Sequence, residues 1–422
     1  MKKDDHTIYV YADWKELGDC YLLGMLTSVP SRGKEIFSFE YDTAWLKHDN
    51  SLYLDPNLGL YQGKQYLPED KPNFGLFLDS SPDRWGRFLM RRREALLAKH
   101  ENRKERNLTE SDYLLGVFDG HRMGGLRFKI NPAGEFLDNH KELASPPWAS
   151  LRDLEYASLQ LEDDNASGKP EYSKWLNMLI QPGSSLGGAR PKASVTDNHR
   201  NLWIAKFPSK NDTKDTGAWE FVLNRLASSC GITVPEAKVK KLSGQHHTFL
   251  SKRFDRTNTN ERIHFASAMT LLGYNDGTDY RDGVSYLELA SFIMRFGADV
   301  EHDLEQLWRR IVFNILVSNT DDHLRNHGFI LVNNGWKLSP AYDMNPDEYG
   351  SGLHLNISET GNDLDISLAL SVARYFKLND VKAEKILNEI IKSVRNWRSL
   401  ARETGIPADE IERVSSAFRF DR

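Results

Sequence analysis

The sequence predicts an α+β fold in which a small N-terminal α+β region precedes a β-rich lobe and a helical lobe. Residues 7–46 read as short strands separated by turns, whereas residues 285–318 contain two stretches with helical spacing. The chain has 422 residues, which is more than one hydrophobic core usually organises. We therefore expect three domains, at residues 1–150, 151–256 and 257–422.

Composition and charge indicate an ordinary globular protein. Hydrophobic residues make up 40% of the chain and charged residues 27%. The net charge of −5 argues against a dedicated nucleic-acid-binding protein. Cys20 and Cys230 are far apart and outside any metal-binding spacing, so no disulfide framework or zinc site is predicted. Because no apolar signal segment or membrane-length stretch is present, we expect a cytoplasmic protein without a membrane partner.

The N-terminal region contains structural signals but no recognisable chemistry. Ser81 and Pro82 predict the start of a helix, with Ser81 as its cap, and a further helix is expected over residues 110–117. Residues 133–180 are rich in Pro, Ser, Asp and Asn and have weak periodicity. That composition predicts a connection between two domains.

A glycine-rich loop at residues 183–195 predicts an anion-binding site. Small residues let backbone N–H groups approach phosphate oxygens, and a following lysine adds positive charge. The loop is not a Walker A motif, because Ala189 follows Gly188 where that motif has lysine. By itself it fits a plain turn as well as a nucleotide site. The residues that we assign to ATP are Ser185, Gly187, Gly188, Ala189 and Lys192.

The segments that follow the loop favour the nucleotide interpretation. Residues 201–208 form an apolar strand that carries Lys206 near its end, which suits pairing with ATP phosphates. Glu220 lies in a stretch with helical spacing and is a candidate partner for Lys206. An exposed edge lysine and a solvated helix glutamate are the alternatives. Residues 248–256 predict a strand that leaves the small lobe, where a hinge would offer backbone groups to an adenine.

The run from Ser318 to Asn326 carries the most specific pattern. Asp321 lies five residues before Asn326, as the base precedes the metal-binding asparagine in a kinase catalytic loop. A predicted hairpin over residues 329–338, with an Asn-Gly turn, would place Asp343 beside Asn326. Oxygen ligands from Asp and Asn suit Mg²⁺. We therefore assign Asp321 as catalytic base, and Asn326 and Asp343 as magnesium ligands, in a protein-kinase-like bilobal fold.

Two neighbours of the predicted base are assigned supporting roles. Asp322 adjoins it, and His323 is expected to brace the loop by hydrogen bonding. His323 and His327 are four residues apart and also suggest a zinc site. A metalloprotease helix would need glutamate where Leu324 lies, which argues against zinc.

Together these motifs resemble the HipA family of bacterial toxin serine/threonine kinases. The resemblance covers most of the chain and rests on six segments. In chain order they are the N-terminal segments 77–85 and 114–117, the glycine-rich loop 185–192, the RFDR hinge 253–256, the NxDxHxKN catalytic loop 319–326 and the LSPxYDM metal motif 338–344. Arg325 stands where the family has lysine.

The resemblance implies roles for particular residues. It implies the assignments of Asp321, Asn326, Asp343 and Lys206 given above, and places Lys252, Arg253 and Phe254 against adenine. It also implies autophosphorylation at Ser185, with Ser184 as the alternative. A phosphate there would add roughly −2 charge to a loop that holds the phosphates of ATP, and so would silence the enzyme.

The resemblance also implies partners. The substrate would be a translation factor, typically an aminoacyl-tRNA synthetase. A separately encoded helix-turn-helix antitoxin would restrain the enzyme and bind operator DNA, so this chain would meet DNA only indirectly. Two alternatives are a small-molecule kinase of the aminoglycoside or choline type and an inactive co-repressor scaffold.

Overall fold

The computed structural model describes most of the chain in two compact units. The described residues are 6–31, 33–48, 52–68, 71–137, 147–163, 165–180, 188, 190–333 and 335–420. The first unit comprises Met1–Lys210 and Asp255–Ala266, and the second comprises Asn211–Phe254 and Ser267–Arg422. The boundaries of the three predicted domains stay predictions.

A five-stranded antiparallel sheet with the strand order β4-β3-β2-β1-β5 forms the centre of the first unit. Its strands are β1 (His6–Ala12), β2 (Tyr21–Ser31), β3 (Lys34–Tyr41), β4 (Gln65–Tyr66) and β5 (Leu126–Lys129). Alternate residues such as Val10, Phe39 and Phe128 are buried on one face. A β-bulge shifts the β1–β2 register beside Gly24, where a Cβ atom would lie 2.3 Å from the carbonyl oxygen of Glu40. Only glycine fits there.

Five helices and a hairpin complete the first unit. They are α1 (Gly75–Leu78), α2 (Arg84–His100), α3 (Glu110–Leu115), α4 (Leu151–Leu161), α5 (Tyr172–Ile180), β6 (Lys192–Thr196) and β7 (Leu202–Lys206). The predicted cap of α2 is wrong. Asp83 caps it, because its carboxylate accepts the backbone N–H of Gly86 at 2.7 Å, whereas the Ser81 hydroxyl donates to the carbonyl of Phe77.

The predicted connection over residues 133–180 is also wrong where the structure describes it, because α4 and α5 lie there. Leu151, Leu154 and Leu161 are buried along one face of α4. Their spacing of three and seven residues is that of an amphipathic helix. Polar residues on the opposite face gave the segment a loop-like composition.

The second unit is mainly helical. In chain order its elements, together with the strand β10 at the unit boundary, are α6 (Thr216–Ser229), β8 (Ala237–Lys240), β9 (Thr248–Lys252), β10 (Phe265–Ser267), α7 (Ala268–Leu271), α8 (Tyr286–Phe296), α9 (Val300–Val317), β11 (Gly328–Val332), β12 (Gly335–Leu338), α10 (Ile366–Ser371), α11 (Asp380–Val394), α12 (Trp397–Thr404) and α13 (Ala408–Arg413). Among the helices in the described ranges, none is both long and apolar enough to cross a membrane.

Helix α9 is the buried centre of the second unit. Leu307, Trp308 and Ile311 are inaccessible to solvent, and apolar residues occupy nearly all sides of its C-terminal half. The helix ends at Ser318, whose φ of 48° is left-handed and turns the chain sharply. The predicted hairpin is confirmed, because β11 and β12 pair antiparallel from Phe329 opposite Leu338 to Val332 opposite Gly335.

His264 is a buried histidine of the first unit. Its ring stacks on Trp14 with the ring centres 4.8 Å apart, and its Nδ1 accepts the N–H of Gly125 at 3.4 Å. Burial lowers the pKa of His264 to about 3, because an imidazolium would be desolvated there. The folded protein therefore holds His264 neutral at pH values where the unfolded chain binds a proton.

We predict that His264→Phe flattens the acid dependence of stability. Between pH 6.5 and about 3 the unfolded state binds one more proton than the folded state, so stability falls as the pH falls, by up to roughly 1.4 kcal/mol per pH unit. Phenylalanine keeps the stack on Trp14 but cannot titrate. Urea unfolding at pH 7, 6 and 5 measures the effect, with the exposed His100→Phe as control. Equal acid sensitivity in His264→Phe and wild type would contradict the assignment.

Candidate active site

The predicted catalytic base and a predicted metal ligand lie on the turn between α9 and β11. Asp321 is exposed and Asn326 is buried at the end of a single 3₁₀ turn, Leu324–Asn326. The side-chain amide nitrogen of Asn326 donates to the backbone oxygen of Asp321 at 2.7 Å. This bond fixes both residues in one loop conformation. It also commits the nitrogen end of the amide, which leaves Oδ1 as the end available for a cation.

Asp322, beside the predicted base, is buried and anchors the loop. Its Oδ2 accepts hydrogen bonds from the Tyr286 hydroxyl at 2.5 Å, the Asn314 amide at 2.6 Å and His327 Nε2 at 2.9 Å. The donors come from α8, from α9 and from the residue before β11. One carboxylate oxygen therefore joins three elements beneath the loop.

Motif spacing did not reveal this network. The spacing gave Asp322 a supporting role beside the base and made His327 only a possible zinc ligand, and it did not point to Tyr286 or Asn314. A signal was present, since Asn314 is a lone amide in the apolar run Ile311–Val317. A polar residue inside a buried helix needs a hydrogen-bond partner.

The donors also determine the charge state of Asp322. Burial alone would raise its pKa, but His327, the Tyr286 hydroxyl and the Arg310 guanidinium together lower the pKa of Asp322 below its usual range. Arg310 is itself buried and donates to the carbonyl of Ser339. Burial lowers the pKa of Arg310 to about 10, so it stays charged at neutral pH. Asp322 is thus an ionised carboxylate with a buried counter-charge.

A chain of amides links this anchor to the segment that follows Asp343. Asn314 accepts from the amide of Asn319 at 3.0 Å, and Asn319 Oδ1 accepts the backbone N–H of Asn345 at 3.0 Å. Both asparagines are almost fully buried. The chain therefore holds the region of Asp343 in a fixed position relative to Asp322.

The electrostatics around Asp321 are those of a crowded acidic site. Desolvation raises the pKa of Asp321, although part of its side chain is exposed. His323 and His354 oppose this shift, whereas the carboxylates of Asp343 and Asp322 reinforce it. Asp343 also has a left-handed φ of 59°, which is uncommon for a residue other than glycine and is often found at functional sites.

The arrangement fits a magnesium ion. The Asp343 carboxylate and Asn326 Oδ1 are hard oxygen donors, and a divalent cation would relieve the repulsion between Asp343 and Asp321. Across the described ranges, no three His, Cys, Asp or Glu side chains converge as a metal cluster. A cation at Asn326 and Asp343 would therefore complete its shell with water and phosphate oxygens, as Mg²⁺ does.

The His323 side chain does not brace the loop through Nδ1, although the His323 carbonyl accepts the backbone N–H of Asn326 at 2.8 Å. Its Nδ1 is buried and makes no hydrogen bond within the described part of the chain, while its ring meets His354 edge-on at 5.6 Å. The bracing bond comes from His327, because its Nε2 faces Asp322. The two histidines that suggested zinc thus contact different partners.

The predicted hinge is connected to the catalytic loop. Phe254 stacks on Tyr342 with the ring centres 5.6 Å apart, and the Tyr342 hydroxyl donates to the carbonyl of Arg325 at 2.7 Å. Lys252 ends β9, and Arg253 is buried. The structure thus brings Phe254, the loop and the residue before Asp343 together.

In the first unit, the predicted phosphate-binding lysines share one end of a hairpin. Lys206 ends β7 directly opposite Lys192 of β6. Like charges at such a position repel unless one is compensated. Lys192 Nζ is buried and lies 2.9 Å from Oδ2 of Asp83, while the Trp85 indole donates to the Lys192 carbonyl at 3.1 Å. Lys192 therefore has a structural contact with the start of α2 that its place after the glycine-rich loop does not indicate.

The remaining nucleotide assignments stay predictions. Gly188 has a left-handed φ of 98°, while Ser184, Ser185, Gly187 and Ala189 lie outside the described residues. Glu220 is buried in α6 of the second unit. Its pairing with Lys206 is untested.

Comparisons with known proteins agree with the motifs. Residues 184–398, just over half of the chain, match the model of the HipA-like C-terminal domain. A Haemophilus influenzae protein named as a candidate kinase is 30% identical over 204 residues, which cover 43% of this chain and 59% of that protein. The serine/threonine-protein kinase toxin HipA of Shewanella oneidensis is 27% identical over 233 residues, which cover 49% of this chain and 50% of that protein. The chain thus spans roughly half the length of these relatives.

A solved structure agrees over nearly the full length. The toxin HipA of Shewanella oneidensis, in a complex with HipB and operator DNA, matches with a TM-score of 0.66. The match covers 97% of this chain and 94% of that chain at 19% identity. It confirms the predicted fold class, an α+β protein-kinase-like fold with a small α+β N-terminal domain.

We predict that alanine substitutions at the two neighbouring aspartates differ strongly in their effect on stability. Asp322→Ala would leave three buried donors without an acceptor and cost about 3–5 kcal/mol. Asp321→Ala would change stability by less than about 0.5 kcal/mol, because burial disfavours its charge. Urea unfolding of the two variants at pH 7 measures the difference, and each serves as control for the other. Equal losses would show that Asp322 is not the anchor.

Proposed function

The chain belongs to the HipA family, and we propose that it is an ATP- and magnesium-dependent serine/threonine protein kinase that acts as the toxin of a toxin–antitoxin pair. The observation that carries the proposal is the bond from the Asn326 amide to the Asp321 carbonyl. It presents an exposed carboxylate and an amide oxygen at kinase spacing, with the charge of Asp343 acting on the same site.

The residues would divide the reaction between them. Asp321 would orient the substrate hydroxyl and accept its proton as the oxygen attacks the terminal phosphorus of ATP. The bond from that phosphorus to the β–γ bridging oxygen would break, and ADP would leave with the oxygen. Asn326 and Asp343 would hold Mg²⁺, which neutralises phosphate charge when bound. Lys206 would pair with the phosphates, and Lys252 to Phe254 would contact adenine.

Asp322 would take no part in proton transfer. Its carboxylate is occupied by three donors, and its pKa is low. It would instead hold Asp321 and Asn326 at a constant separation through the reaction. That rigidity is what positioning catalysis requires.

Substrate and partners follow from the family. We propose a translation factor, such as an aminoacyl-tRNA synthetase, as the substrate and a separate helix-turn-helix antitoxin as the regulator, with the complex located in the cytoplasm. The Shewanella relative is named as a serine/threonine kinase toxin, and its solved complex contains HipB and operator DNA. DNA would be met through the antitoxin.

We predict that Asp321→Ala and Asp343→Ala each abolish growth arrest and lower phosphate transfer from labelled ATP by roughly 10²–10⁴-fold. The first removes the base and the second a magnesium ligand. Growth after induction at equal expression and phosphoserine recovered from candidate synthetases are the measurements. Asp380→Ala, at an exposed position on α11, is the control and retains both activities.

The same assay separates the alternatives. Phosphorylated small alcohols without any protein-bound phosphoserine would point to a small-molecule kinase. Wild type as silent as Asp321→Ala, with magnesium present and the glycine-rich loop unmodified, would point to a scaffold. Either result would overturn the toxin kinase proposal.

We further predict that Ser185 is autophosphorylated. A phosphate would place roughly −2 charge in the loop assigned to ATP phosphates, so modified protein would transfer phosphate more slowly. Mass spectrometry after incubation with ATP locates the site, with Ser184→Ala as the matched control for Ser185→Ala. Unchanged phosphate incorporation in Ser185→Ala, with loss in Ser184→Ala, would move the site by one residue.

A further inference from the structure

A cavity of about 370 Å³ lies within the second unit, between α6, β8 and α12. It is separate from the loop that carries Asp321. Val222, Val239 and Leu400 supply apolar wall, and Phe221 adds an aromatic ring. The volume is within the range of small-molecule sites.

The charged groups at the cavity are mostly cationic. Arg225 and Lys241 line it, and neither forms an ion pair within the described part of the chain. The nearest aromatic contact of Arg225 is with Phe221, at 5.9 Å from the ring centre. Glu403 is the opposing charge, and its carboxylate accepts a hydrogen bond from the Ser399 hydroxyl. In a chain with a net charge of −5, these two solvent-exposed cations beside a partly apolar cavity favour an anionic ligand.

A third cavity residue, His247, is held in a fixed orientation. Its Nδ1 lies 2.5 Å from Asp215 Oδ2, and its backbone N–H donates to Asp215 Oδ1 at 2.9 Å. Asp215 in turn caps α6 through the N–H of Ala218. Since Nδ1 is engaged, Nε2 is the ring atom that remains for a ligand. Fixed polar groups on an apolar wall are typical of specific sites.

We propose that this cavity binds a small amphipathic anion. Its apolar body would lie against Val222, Val239 and Leu400. Its single anionic head group, a carboxylate or a phosphate, would lie between Arg225 and Lys241.

The location couples such a ligand to α6. Phe221 and Arg225 follow Glu220 by 100° and 140° around an ideal helix, so the cavity lies on a different face from Glu220. The N-terminus of α6 is packed tightly, because a Cβ at Gly217 would lie 2.2 Å from the carbonyl oxygen of His247. A ligand that contacts both α6 and His247 would therefore stiffen the helix. Any effect on phosphate transfer through Glu220 rests on the proposed function, whereas binding does not.

The test uses the full chain and a pair of fluorescent probes with nearly the same ring system. Anilinonaphthalene sulfonate carries an anionic group, and N-phenyl-1-naphthylamine lacks it. We expect the sulfonate to bind saturably and roughly tenfold more tightly than the neutral probe. Arg225→Gln and Lys241→Gln should each weaken sulfonate binding by a similar factor. Arg402→Gln, at an exposed position on the same helix α12 as Leu400, is the matched control and should bind like wild type.

Two further measurements locate the ligand and identify its head group. Hydrogen exchange of the α6 amides should slow when the sulfonate saturates the protein. Displacement by 2-naphthoate or by 2-naphthyl phosphate would identify the preferred head group. Equal affinity for the two probes, binding unaffected by both glutamine variants, or unchanged α6 exchange would each overturn the proposal. If the chain binds the sulfonate but has no kinase activity, the proposed function is wrong and the proposed ligand site is retained.

Discussion

The acceptance of three hydrogen bonds by one oxygen of Asp322 is the constraint on which the active-site candidate depends. Tyr286, Asn314 and His327 come from three different elements, so the loop cannot shift without breaking at least one strong bond. A buried carboxylate is costly unless it is paired. Here the Arg310 guanidinium supplies opposite charge, and His327 adds a hydrogen bond. The same contacts that compensate the burial of the Asp322 carboxylate also fix the position of Asp321.

The contacts of Asp322 explain why its carboxylate and that of the exposed Asp321 lie in such different environments. Asp321 and Asp322 are adjacent, yet one carboxylate is held ionised by its partners and the other is disfavoured as an anion by its surroundings. Neighbouring titratable groups whose pKa values are shifted in opposite directions are typical of sites that transfer protons. The Asn314–Asn319–Asn345 chain extends the same rigidity toward Asp343.

Sequence patterns predicted features that depend on local chemistry and missed those that depend on long-range contacts. The β11–β12 hairpin was predictable from an Asn-Gly turn between apolar strands, and helix α9 from its periodicity. The cap of α2 was missed because Ser and Asp are equally favoured at the N-cap position, so the sequence does not distinguish Ser81 from Asp83. Helix α4 was missed because its polar surface residues hid the apolar spacing that begins at Leu151. The anchor at Asp322 could not be derived, because its donors lie up to 36 residues away.

The ion pair between Lys192 and Asp83 bears on how the chain can be divided. Lys192 begins the strand after the glycine-rich loop, and Asp83 caps a helix more than a hundred residues earlier. A fragment that begins at residue 151 would retain the lysine, lose its counter-ion and expose the surface that now buries both. The N-terminal region is therefore structurally tied to the β6–β7 hairpin and is not a detachable module. Fragments intended to retain a stable β6–β7 hairpin need to include the segment that starts α2.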